Sequence, residues 1–438
     1  MNARSPHLGA APARARLPLH YGALQFALSF LALPLYVFVP AYETTAAAMP
    51  LALVGALLLV SRLFDAITDP LLGRLADRAL HAGWGLALIV AASVTMATGF
   101  LLLLGGPAVL RYRSHALAFD GWVLGALMLT YLGYSAASIT HQAWGARLVA
   151  EESGSSRLYA WREALGLLGV LSAAAATRLD GARSYATVFA ASLALALVWL
   201  RRVPAAPTPR SATMRGRRAG AAWLPLRQPA FRRLLTIQVV SSTAAALPAT
   251  LVLFFIRDRL REPGMSGVFL GIYFGCAALA APLWGRFMPR LGAARAWLFG
   301  MLATVASFAS ATALHAGDAW GYAGVCASSG AMLGADLILP PALLTELIGR
   351  LGHANALEGA YFALWNMATK LALALAAGLA LPALAWLGYQ PGVAARGILP
   401  PLVFAYGVAP AVMKIGAAAM LWFDWIRVAD AKRGPNPA

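Results

Sequence analysis

Between Ser61 and Arg78 the chain reads Ser-Arg-Leu-Phe-Asp-Ala-Ile-Thr-Asp-Pro-Leu-Leu-Gly-Arg-Leu-Ala-Asp-Arg, directly after an uncharged apolar run from Met49 to Val60. Asp65 and Asp69 are four positions apart, so a helix entering a membrane would carry both on one face. Two carboxylates one turn apart at that depth repel each other and lack water. A cation, a proton or a neighbouring Arg must offset them, and Arg62 lies one turn before Asp65. The chemistry this pattern suits is cation or proton binding, with the Thr68 hydroxyl as a further oxygen. The alternative is that both carboxylates sit wetted at the cytoplasmic mouth and orient the helix end.

A second charged group interrupts an apolar run at Lys370, in Tyr361-Phe-Ala-Leu-Trp-Asn-Met-Ala-Thr-Lys370, before the uncharged stretch Leu371 to Leu387. An ammonium this deep does not reach the interface easily and calls for a carboxylate or water. Trp365 and Asn366, one turn earlier, add an aromatic ring and an amide to this segment, and helix or lipid packing is one reading of Trp365. Asp336 also lies inside an apolar span, with Glu346 nearer the cytoplasm. Whether Asp336 lines a cavity or pairs with a loop Arg is open at this level.

These residues require a membrane scaffold. The 438 residues are 60% hydrophobic and only 12% charged, which no ordinary soluble domain matches. A formal charge of +18 suggests nucleic acid at first sight. The Arg residues fall in short loops and tails between apolar spans, however, and the positive-inside rule accounts for them better. Only Lys370, Lys414 and Lys432 are lysines. Cys276 and Cys326 are in apolar segments and read as small hydrophobes. Residues 1–19 contain Arg4, Arg14 and Arg16 without a cleavable apolar core, so they read as a cytoplasmic tail.

Apolar runs long enough to cross about 30 Å of hydrocarbon begin near residues 20, 46, 84, 120, 159, 184, 233, 265, 295, 320, 359 and 398. The expectation is an all-α polytopic membrane protein with twelve transmembrane helices in two six-helix bundles. Residues 1–200 form the first bundle and its tail, 201–232 an Arg-rich cytoplasmic linker, 233–426 the second bundle and 427–438 a cytoplasmic tail. Arg111, Arg113, Arg257, Arg259 and Arg261 fall on the outer side and are outnumbered. A short echo, Gly73-Arg-Leu-Ala-Asp-Arg78 against Gly285-Arg-Phe-Met-Pro-Arg290, supports two repeated halves.

The segment from Arg62 to Gly73 resembles the R-x-x-D-A-x-x-D-P-x-x-G hallmark of the glycoside-pentoside-hexuronide:cation symporters, the melibiose-permease branch of the major facilitator superfamily. Arg62, Asp65, Ala66, Asp69, Pro70 and Gly73 occupy its fixed positions. Gly73, Leu75, Asp77 and Arg78 resemble the wider superfamily's G-x-L-x-D-R loop. The resemblance implies that Asp65 and Asp69 bind the coupling ion and that Lys370 balances charge near them. It also implies that Arg162, the second Arg of Arg157-x-x-x-x-Arg162, reaches the cavity. An interfacial pair of Arg162 with Glu163 is the alternative. Trp365 and Asn366 match sugar-contacting positions.

Two departures qualify this resemblance. Eight positions after Tyr21, where the family carries a sugar-gripping Asp, stands Ser29. Aligning the family's helix-four aromatic with Trp144 puts Thr140 at a normally acidic position. Thr140 then offers one neutral oxygen, while the adjacent His141 either titrates in support of proton coupling or bonds a backbone carbonyl.

The implied activity is cation-coupled (Na+ or H+) symport of a sugar, glycoside or related small solute by alternating access. Arg162, Trp144, Trp365, Asn366, Ser29 and His141 would line the solute site. A carrier of a lysophospholipid-like amphiphile is the runner-up. A sensor or membrane enzyme is a remote third, since no nucleophile triad, phosphate loop or H-E-x-x-H run occurs. The expected partners are membrane lipid and a small solute, with no nucleic acid, no cofactor and no metal beyond a coupling Na+. The expected setting is a bacterial inner membrane, with a monomeric protein whose termini are both cytoplasmic.

Overall fold

A computed structural model describes residues 10–45, 51–109, 116–151, 156–176, 181–206, 221–389 and 399–427. Several loop arginines discussed above, including Arg111, Arg113 and the basic centre of the linker, lie outside them. Thirteen α-helices occur among the described residues: α1 Ala10–Thr45, α2 Leu51–His81, α3 Gly85–Val109, α4 Ala116–Glu151, α5 Ser156–Ala176, α6 Gly181–Leu200, α7 Pro229–Phe254, α8 Ser266–Leu291, α9 Ala293–Thr312, α10 Ala319–Arg350, α11 Glu358–Trp386, α12 Leu399–Val403 and α13 Ala409–Leu421. A π-helical turn, Phe404–Val408, joins α12 to α13, so these two make one run and the total is twelve. No strand is found among the described residues. Among the described residues, seven helical stretches are long and apolar enough to cross a membrane by length and composition alone.

The helices overrun the apolar stretches that announced them. α1 starts at Ala10 rather than near residue 20, because Ala and Arg are strong helix formers and extend the helix beyond the hydrocarbon. α7 starts at Pro229, a residue whose fixed φ and missing N–H suit the first turn. Proline also occurs inside α2 (Pro70), α7 (Pro248), α8 (Pro282, Pro289) and α10 (Pro340, Pro341). Packed neighbours make such interruptions tolerable in a membrane.

The chain divides into two compact units, Met1–Gly216 with His353–Gly359, and Arg217–Gly352 with Ala360–Ala438. In the first, α1 packs along α5 and α6, and α4 packs along α3 and α2. Glycine sets the α1–α5 distance: a Cβ at Gly169 would meet the Phe26 backbone, and one at Gly22 would meet the backbone of Trp161 and Arg162. In the second unit, α10 packs between α8 and α9, and α13 packs against α7 and α9. An aromatic cluster there stacks Phe255 on Tyr406 at 4.1 Å, and the Tyr322 and Tyr406 hydroxyls share a hydrogen bond of 2.6 Å.

Candidate functional site

On α2, the side chains of Leu59, Leu63, Ile67 and Leu71 are all exposed, a stripe with the four-residue spacing of one helix face. Asp65 and Asp69 lie two positions on from Leu63 and Ile67, about 200° around the helix, and are buried. The apolar stripe is therefore on the outside of the helix, and the carboxylates face the interior of the unit. α2 packs on α4, from which Ser135 donates a 2.5 Å hydrogen bond to Asp65 Oδ1. Sequence reasoning missed Ser135, although its position one helical turn and a residue before Thr140 was visible. Thr68, half-buried, donates to the Asp65 backbone carbonyl at 3.0 Å. Fully buried Thr140 donates to the Ala136 carbonyl at 2.7 Å. Each hydroxyl proton is thus directed to its own helix, while the oxygen keeps a lone pair. Arg62 is half-buried on the same helix.

A second cluster joins α1, α4 and α5. The Tyr21 hydroxyl donates to the His141 carbonyl at 2.6 Å, and His141 Nε2 lies 3.0 Å from the Tyr21 carbonyl, with the two rings stacked 4.0 Å apart. Gly145 makes this possible, since a Cβ there would overlap the Tyr21 hydroxyl. Of the two readings of His141, the structure shows the bond to a backbone carbonyl. That bond places the proton on Nε2 and leaves Nδ1 as an acceptor. Arg162 donates through Nε to Glu163 Oε1 at 2.8 Å and a second time through Nη2, with both side chains nearly enclosed. His141 Nδ1 and Arg162 Nη1 are buried and lack a protein partner. One is an acceptor and the other a donor, the pair a solute hydroxyl requires.

Ser29, half-buried one face along α1, accepts a 3.3 Å bond from Gln25 and lies against Gly166 of α5. Trp144 is buried with its indole N–H directed to the Pro204 carbonyl at 3.1 Å, so that donor is already occupied.

The loop motif forms a third cluster in the same unit. Asp77 Oδ1 accepts from the Gly359 backbone N–H at 2.8 Å, at the amino end of α11, where a carboxylate is favoured. Fully enclosed Arg147 donates to Glu358 Oε2 at 3.1 Å and approaches Asp77 at 3.5 Å. A Cβ at Gly359 would strike the Gly73 carbonyl and the Asp77 carboxylate, so glycine is required at this close approach. Arg78 is exposed.

In the second unit, Trp365 is buried, and Asn366 and Lys370 are half-buried four positions apart on one face of α11. Thr369 donates to the Trp365 carbonyl at 3.0 Å. Asp336 pairs with Lys414 at 2.6 Å, which answers the question its position posed: its partner is a helix lysine and not a loop arginine.

The family described as MFS/sugar transport protein matches residues 20–427. The chain belongs to that family. Among solved structures it is similar to a bacterial homologue of the iron transporter ferroportin in an outward-facing state, with a TM-score of 0.69 and 14% identity over 94% of this chain and 98% of that one. It is also similar to the major facilitator superfamily proton:xylose symporter XylE bound to 6-bromo-6-deoxy-D-glucose, with a TM-score of 0.63 and 15% identity over 94% and 96%. At such identities the likeness is one of fold. No curated protein matches the sequence. This family member is a polytopic helical membrane transporter and not an enzyme.

Proposed function

We propose that the protein is a cation-coupled symporter of a sugar or related small solute, working by alternating access. The observation that carries this reading is the burial of Asp65 and Asp69 on the α2 face opposite its exposed apolar stripe. Charge enclosed at membrane depth persists when an ion or proton occupies it in the working cycle. Asp65, Asp69, Thr68 and Thr140 would supply oxygens to Na+ or take a proton, and Ser135 would orient Asp65. Lys370 and Arg62 would balance charge when the ion leaves. The acceptor of His141 and the free donor of Arg162 would take a solute hydroxyl. Ser29, Trp144, Trp365 and Asn366 would complete the solute contacts. The proton:xylose symporter of similar fold supports the same assignment.

A lysophospholipid-like solute is the second reading. Ser29 and Thr140 are neutral, so this chain has no carboxylate at either position to hold two sugar hydroxyls at once. The setting we assign is a bacterial inner membrane, with a monomer whose termini are cytoplasmic.

The test is uptake of radiolabelled methyl glycosides into sealed proteoliposomes under an imposed Na+ or pH gradient, with lysophosphatidylcholine as competitor. The expected result is gradient-driven uptake that D65N/D69N abolishes while solute exchange persists. Uptake by D65N/D69N equal to that of the parent would overturn the ion assignment, and block by lysolipid but not by glycosides would select the second reading.

A further inference from the structure

The second unit holds a buried charge cluster that the reading above does not use. Lys414 of α13 donates to Asp336 Oδ2 of α10 at 2.6 Å and to Ser241 Oγ of α7 at 2.7 Å. Asp336 Oδ1 accepts from the indole N–H of Trp297 on α9 at 2.9 Å. Four helices thus converge on one ion pair. Such a pair adds little net stability, because desolvating two charges offsets most of their attraction and well-packed apolar residues would serve as well. Intramembrane ion pairs that a fold keeps are therefore first candidates for ion or proton pathways.

The two partners are not equally enclosed. The Lys414 side chain is 1% exposed, and that of Asp336 is 16%. The carboxylate is the partner with an accessible edge, while the ammonium is held between Ser241 and Asp336. The other groups around Asp336 fit a proton acceptor. From α9 it meets the neutral indole of Trp297, its cation Lys414 is bonded in turn to the neutral Ser241 of α7, and from α8 the phenol of Tyr273 feels its charge. Lys414 is the cation that faces it.

We propose that Asp336 is a proton-binding site of the second unit, with Lys414 as its resident counter-ion. In the resting state the carboxylate is ionised and paired. When Asp336 takes a proton, the carboxylate becomes a carboxylic acid, the ion pair is lost, and Lys414 keeps its charge with Ser241 as its remaining partner. The unit then carries one more positive charge, so a proton bound here changes the electrostatics around any solute it holds. This site is separate from the α2 carboxylates and does not depend on them.

The test is infrared difference spectroscopy of the full chain in lipid vesicles, between acidic and alkaline buffer. The expected result is a carboxylic-acid C=O band that D336N removes and that D65N/D69N leaves in place. K414M should shift the frequency of that band, since the protonated carboxyl then no longer lies beside an ammonium. If D336N fails to fold, the charge exchange D336K/K414D keeps the pair and should shift the band rather than abolish it. Identical difference spectra for the parent and D336N, or a band that vanishes only in D65N/D69N, would overturn this proposal while leaving the α2 assignment standing. A lost uptake phenotype in D65N/D69N with the Asp336 band intact would support both.

Discussion

Arg147, fully enclosed at the end of α4, bonds Glu358 across 211 positions of sequence, Nε to Oε2 at 3.1 Å. Glu358 also accepts from the Asn355 backbone N–H, and Asp77 caps the next residue, Gly359. One arginine thus ties the residue 353–359 segment to α2 and α4.

Removing one partner strands the other charge. Arg147→Met or Glu358→Gln should each destabilise the protein by about 3–5 kcal/mol, the usual cost of breaking a buried pair. The double variant should recover part of that loss. Melting of purified protein in detergent, followed by intrinsic fluorescence, checks the pattern; additive losses in the double variant would contradict a direct pair.

Gly145→Ala puts a methyl where the Tyr21 hydroxyl lies. Overpacking of this kind costs about 1–3 kcal/mol, and Tyr21→Phe in the same chain should return part of it by removing the oxygen. The melting temperatures of the two single variants and the double variant decide the matter.

Ser135→Ala removes the hydroxyl that donates to Asp65 Oδ1. Hydrogen bonds to charged groups contribute about 1.5–3 kcal/mol, so the ion concentration giving half-maximal uptake should change by about tenfold or more. Folding should be little altered. Uptake titrated against Na+ at fixed pH, and against pH without Na+, measures the change.

Arg162→Lys keeps a positive charge but loses the fork that holds Glu163 and the spare Nη1 donor. The expected outcome is a rise of about tenfold in the half-saturating glycoside concentration, equivalent to losing about 1.4 kcal/mol of binding. The maximal rate should fall less. Initial-rate uptake over a range of glycoside concentrations tests this.

Much of the architecture was legible along the chain. The described residues hold twelve helical runs, consistent with the twelve apolar stretches, because an apolar segment that crosses lipid singly satisfies its backbone as a helix. Asp65 and Asp69 could be placed on one face from spacing alone, and both are buried, away from the exposed Leu59, Leu63, Ile67 and Leu71. Helix ends were less legible: α1 extends ten residues before its apolar core, where Ala and Arg propensity rather than hydropathy governs.

The side-chain partners were a different matter. Lys414 stood out as one of three lysines, yet its carboxylate is 78 positions away on a helix that packs two neighbours over. Nothing in the segment around Arg147 names its partners, and packing encloses it against Glu358 and Asp77. Periodicity, length and charge are properties of single segments, so the sequence by itself determined the membrane class, the helices and the face that bears the α2 carboxylates. Which buried charges meet depends on how separate helices close against each other, and only the tertiary structure decided the pairs Arg147–Glu358 and Asp336–Lys414.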